Sequence, residues 1–109
     1  MAIQSEVLYA VIAAASAGDN TLVAAAGSGI KIRVVSLVLS APGGANDIRL
    51  ESGASGTAIL GSVGLADNGQ LVLPYHPAGW CETAANALLN LELSAATAVG
   101  GVLGYVTVS

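Results

Sequence analysis

From Ile30 to Leu39 the chain alternates apolar and polar residues at a period of two, and the alternation changes phase once. Ile30, Ile32 and Val34 are separated by Lys31 and Arg33, whereas Val35, Leu37 and Leu39 continue one residue out of step. A period of two belongs to a strand with one buried face. A one-residue slip would throw the second half of that strand onto the wrong face. The pattern therefore predicts a long strand with a β-bulge at Val34–Val35 that absorbs the slip.

Other segments carry the same signature. Ile48 and Leu50 alternate with Asp47, Arg49 and Glu51; Leu89, Leu91 and Leu93 alternate with Asn90, Glu92 and Ser94; Val106 and Val108 flank Thr107. Glu6 to Ala14, Thr21 to Ala25, Thr57 to Val63 and Gln70 to Leu73 are less regular and bring the expected total to about eight strands. Turn-forming clusters lie between them: Gly18-Asp19-Asn20, Gly27-Ser28-Gly29, Pro42-Gly43-Gly44, Gly53 to Gly56, Asp67-Asn68-Gly69 and Gly100-Gly101. Glycine, proline and asparagine adopt the backbone angles that turns need, and a turn roughly every ten residues is the spacing of a sandwich or barrel. Helix competes at Ala-rich Val7 to Ser16 and at Thr83 to Leu89, but tertiary context overrides alanine's preference, and both are read as strand or loop. The 109 residues suit one all-β domain with a single core.

Composition says what such a domain faces. Hydrophobic residues make up 54% of the chain and charged residues 9%, against roughly 25% in an ordinary globular protein. Ten ionic side chains cannot cover a whole domain, so much of the exterior is Ala, Ser, Thr, Gly and Asn. Such an exterior implies that parts of it are covered by partners. The plainer alternative is a neutral surface kept soluble by the net charge of -4. Lys31, Arg33 and Arg49 are the only basic residues, too few to neutralise a run of phosphates or dock an anionic membrane. The longest apolar run, Val7 to Ala15, falls well short of the roughly 20 residues of a spanning helix. Met1 to Glu6 has no basic stretch and does not read as a secretory signal. The lone Cys81 excludes an internal disulfide, so the expectation is folding in a reducing cytoplasm.

No catalytic or metal-binding constellation stands out. His76 and Cys81 are the only imidazole and thiol, but a dyad needs a base within hydrogen-bond reach and an oriented oxyanion site. A buried thiol beside a surface histidine explains the pair more simply. One Cys and one His fall short of a structural metal site, and the glycines form no phosphate-binding fingerprint. Asp47, Arg49 and Glu51 share one side of a strand and read as a solvated face. The expectation is a non-enzymatic chain without cofactor or metal. Its most informative segment is Leu73 to Thr83, where Tyr75 and Trp80, two of four aromatics, lie with His76 near Pro74 and Pro77. Proline stiffens that loop, and Tyr and Trp carry much of the energy at interfaces. Trp80 either projects as a contact or folds inward to plug the sandwich. Tyr75, His76, Pro77 and Trp80, with Val7 and Tyr9 on the first strand, are the candidate partner-contact residues.

The order Lys31-Ile32-Arg33-Val34 to Ser40, Arg49-Leu50-Glu51-Ser52-Gly53, Leu65-Ala66-Asp67-Asn68-Gly69-Gln70, Pro74 to Ala85, Leu89-Asn90-Leu91 to Ser94-Ala95, Val99-Gly100-Gly101 and Gly104-Tyr105-Val106 resembles small tailed-phage virion proteins from about Ala17 onward. The chain departs from that pattern with Trp80-Cys81 where an aromatic directly precedes the Glu, and with Ala-Asn where the group has Ala-Gly. The resemblance implies a jelly-roll-like β-sandwich that decorates or cements a phage capsid, with the major capsid protein as partner, a homotrimer as the assembled form and the virion surface as its place. Residues 1–16 would then supply a strand that is exchanged with, or contacts, a neighbour. A tail or head-fibre component that binds a host glycan or protein is the alternative.

Overall fold

A computed structural model describes residues 6–109, and among these every regular element is a strand. The strands are β1 (Leu8–Ala14), β2 (Gly18–Val23), β3 (Lys31–Ser40), β4 (Asn46–Ser52), β5 (Thr57–Leu65), β6 (Gln70–Leu73), β7 (Cys81–Glu82), β8 (Leu89–Leu93) and β9 (Val99–Val108). They form two antiparallel sheets. The first, sheet A, runs β1-β9-β3-β6, with β7 also pairing with β3; the second, sheet B, runs β2-β8-β4-β5. Leaving aside the two-residue β7, this is the nested order of a jelly roll, in which the chain passes repeatedly from one sheet to the other. The Ala-rich opening is strand β1 rather than helix, paired with β9 of the same chain over seven residues from Leu8↔Tyr105 to Ala14↔Val99. Of the candidate exchanged segment 1–16, residues 1–5 lie outside the described residues.

The core between the sheets is the set the alternation marked. Ile32, Val34, Leu37 and Leu39 of β3 pack with Ile48, Leu50, Leu89, Leu91, Leu93 and Leu103, all nearly inaccessible to solvent. The slip in β3 is a bulge: the register with β9 passes from Val34↔Tyr105 to Ser36↔Gly104, leaving Val35 unpaired. Val35 thus turns away from the main core and joins Val106, Val108 and Val7 in a small second cluster on the outer face of sheet A.

Two expected turns are strand. Gly18-Asp19-Asn20 opens β2, because Asp19 and Asn20 pair in register with Glu92 and Leu91. Gly100-Gly101 lies inside β9, opposite Ser40 and Leu39. A Cβ on Gly101 would fall on the Val38 carbonyl, so the glycine there permits close approach of β3.

Candidate interaction face

The bulge in β3 sets up the aromatic loop. Between β6, which pairs with Leu37–Ser40, and β7, which pairs with Arg33 and Val34, the chain leaves the sheet as residues 74–80. The carbonyls at the bulge hold that excursion: His76 N–H donates to Val35 O at 2.9 Å and Trp80 N–H to Val34 O at 2.8 Å. The Trp80 indole N–H donates to Pro74 O at 2.8 Å, closing the loop on itself. His76 meets Trp80 edge to face, with ring centroids 6.3 Å apart. Trp80 remains 48% exposed and Tyr75 59% exposed, so the indole projects from the loop instead of plugging the sandwich.

Cys81 and His76 do not combine. Cys81 pairs with Val34 and packs against the main core, where burial pushes its thiol up to about 11. His76 stays exposed, and its Nδ1 accepts the Ala78 N–H at 3.1 Å.

The other two predicted contact residues, Val7 and Tyr9, lie on the outer face of sheet A with a feature the sequence did not disclose. Cross-strand partners point to the same side of a sheet. Val11 pairs with Val102, Val102 with Val38, and Val38 with Val72. Four valines therefore stand in one row across β1, β9, β3 and β6, and they are 84%, 41%, 43% and 55% exposed. On one side of the row run Tyr9, Gly104 and Ser36; on the other run Ala13, Gly100, Ser40 and Gln70. The Tyr9 ring lies beside Gly104, where a Cβ would touch the ring but collide with Ser36 Oγ. Val7 covers the end of the face over Val35, Val106 and Val108. Ionic groups keep to that same end: Lys31 and Arg33 both reach Glu82, at 3.5 and 3.0 Å. The row is an exposed apolar strip bordered by small residues, the kind of patch from which interaction faces are built.

The outer face of sheet B is the opposite in character. Asp19 pairs with Glu92, Glu92 with Arg49, and Asn90 with Glu51. Glu51 is not solvated as its strand alternation implied, but 1% exposed. Its carboxylate accepts Arg49 Nε–H at 2.7 Å and Asn90 Nδ2–H at 2.8 Å. Asn90 also donates to Asp19 at 2.9 Å, and Ser55, in the β4–β5 turn, donates to Asp19 through its N–H and its hydroxyl. Glu51 is buried because polar partners from β8 and its own strand surround it, which period-two reading of one strand cannot reveal. The carboxylate oxygens of Asp19, Glu51 and Glu92 lie within 4.8 Å of one another. Hydrogen bonds from Ser55 hold the Asp19 carboxyl below its usual range, while a hydrogen bond to Asp19, partial desolvation and the nearby negative charges raise that of Glu92.

No family model matches the sequence, and no curated protein is significantly similar to it. Among solved structures the chain is similar to one from work on Bacillus endospore appendages, described as a novel family of disulfide-linked pili. The likeness has a TM-score of 0.53 at 16% identity, and covers 98% of this chain and 86% of that one. At that identity it shows the shared fold alone.

Proposed function

We propose that this chain is a bacteriophage structural protein of the capsid-decoration type, which binds the outer shell as a homotrimer and cements it. The observation that carries the reading is the row of exposed valines across the outer face of sheet A, whose ionic groups are confined to one end. A protein that cements a lattice must present apolar surface while remaining soluble before it docks, and the row of separate valines among Gly, Ala and Ser does both. Binding the assembled shell in preference to free subunits stabilises the shell by mass action, and joining copies adds avidity. The 74–80 loop, tied to β3 by main-chain hydrogen bonds, presents Tyr75 and Trp80 with little ordering cost and suits contact with the major capsid protein. The sequence resemblance to small phage virion proteins gives the reading its particle.

A second reading places the same sandwich in a tail or head fibre, with the loop against a host glycan or protein. Fold likeness to an appendage subunit favours it. A linkage through disulfides does not transfer, because the sequence holds one cysteine and that thiol packs inward. The test is cryo-electron microscopy of particles assembled with this protein. The decoration reading expects its density on the outer shell at threefold or quasi-threefold positions. Density confined to the tail would overturn that reading in favour of the fibre.

A further inference from the structure

The valine-bearing face could meet the shell or another copy of the chain, and three features of the molecule distinguish these occupants. The first is relief. The row Val11-Val102-Val38-Val72 is a ridge, and beside it Ala13, Gly100 and Ser40 form a furrow of small side chains that Gln70 closes at the β6 end. Ridge and furrow run side by side on one sheet, so the face carries both halves of its own complement.

The second is area. With strands ~4.8 Å apart and ~3.4 Å per residue, the strands of sheet A at their own lengths cover on the order of 540 Å². A stable interface uses about 800 Å² from each partner, and weaker ones use less. The face therefore suits a weak contact that uses nearly all of it.

The third is charge. The molecule carries a net charge of -4, which opposes self-association. Its acidic residues are not spread evenly: Asp19, Asp47, Glu51 and Glu92 all occupy the outer face of sheet B, accompanied by Arg49. On sheet A, Glu82 is compensated by Lys31 and Arg33. Two copies that meet through sheet A place their acidic faces about three inter-sheet spacings apart, roughly 30 Å at ~10 Å each. That distance exceeds the ~8 Å screening length of physiological salt. Of the broad-face arrangements available to a second copy, this one minimises repulsion and buries the most apolar surface.

We infer that the outer face of sheet A is the contact between copies of this chain, with the valine ridge of one copy seated beside that of the next. Two such faces that meet form a closed pair, so the inference rests on the assembly reading above but replaces its trimer by a dimer, assigning this face to self-association and leaving the 74–80 loop to the shell.

The experiment is sedimentation velocity of the full chain from 1 to 100 µM, on wild type and on Val11→Glu combined with Val72→Glu. Both substitutions lie at exposed positions, and circular dichroism with a thermal melt checks that each protein is folded. A conservative pair, Val11→Thr with Val72→Thr, provides a readout if the charged variant fails to fold. Asp47→Ala, at an exposed position on sheet B, serves as the far-face comparison. The expected result is a dimeric wild type and Asp47→Ala, with dissociation constants raised at least 100-fold by the glutamates and measurably by the threonines. A monomeric wild type at 100 µM, or folded valine variants with unchanged mass, overturns the inference. Binding to coat-protein shells is measured in parallel. A monomer that still binds shells defeats the self-contact and spares the decoration reading; an oligomer that ignores shells does the reverse.

Discussion

Replacing Asn90 by alanine tests the account of the sheet B network most directly. Asn90 is fully buried on β8, and its side chain makes three hydrogen bonds: Nδ2 donates to Glu51 and to Asp19, and Oδ1 accepts the Asn20 N–H at 2.8 Å. Asp19 is exposed and can recover water, so its share is small. Glu51 cannot, because its side chain is 2% exposed and would keep only Arg49. Losing a hydrogen bond to a buried charge costs about 1.5–3 kcal/mol, and orphaning a backbone N–H adds about 1 kcal/mol. The expected loss is about 2.5–4 kcal/mol, a large part of the roughly 5–15 kcal/mol that holds a typical domain. In urea at pH 7, with a slope of ~1.5 kcal/mol/M, the midpoint should fall by about 2 M. Adding Glu51→Gln removes the stranded charge, so the double variant should lose less than the two single losses added together. A deficit below about 1 kcal/mol for Asn90→Ala, or strict additivity in the double variant, would refute the claim that Asn90 compensates a buried carboxylate.

Three further outcomes follow from the same geometry. Glu92→Gln should raise the melting temperature at pH 7 and have little effect near pH 4. The folded-state pKa of Glu92 lies above its usual value, so the wild type gains from the protonated form at low pH and loses that gain as pH rises through the folded pKa; equal shifts at both pH values would contradict this. Cys81 should react with iodoacetamide about 100-fold more slowly at pH 8 than an unperturbed thiol, since burial raises its pKa from 9.0 to about 11 and depletes thiolate accordingly; labelling at the rate of a free thiol would place the side chain in solvent. Gly101→Ala should cost about 1–3 kcal/mol or more, because its Cβ meets the Val38 carbonyl at a positive φ, whereas Gly61→Ala, with open space around the added carbon, should shift the urea midpoint little.

How much of this was legible beforehand depended on whether the signal lay within one strand. Ile32, Val34, Leu37 and Leu39 report their own burial, and the slip at Val34–Val35 announces the bulge, because the pleat ties each side chain to its neighbour's opposite face. Gly18 has the positive φ of a turn former and yet opens β2, and Gly101 serves where two backbones approach closely; nothing local separates these uses from a turn. The valine row was hidden for another reason. The period that buries Leu37 and Leu39 turns Val38 outward but does not say what stands beside it. Its alignment with Val11, Val72 and Val102 is a property of register between distant segments. The same limit hid Glu51, whose cover comes from β8. Tyr9 stands out as one of four aromatics in the chain, and Trp80 also through the prolines that stiffen its loop.

The loop between Leu73 and Cys81 is fastened by its backbone: His76 and Trp80 donate main-chain N–H groups to the carbonyls of Val34 and Val35, and its two flanking strands both pair with β3. Few of the intervening side chains take part in the attachment. Substitutions at Tyr75 or Ala78 therefore change what the loop presents without loosening its hold on β3. The chemistry of this end of the domain can diverge while the sandwich beneath it stays the same.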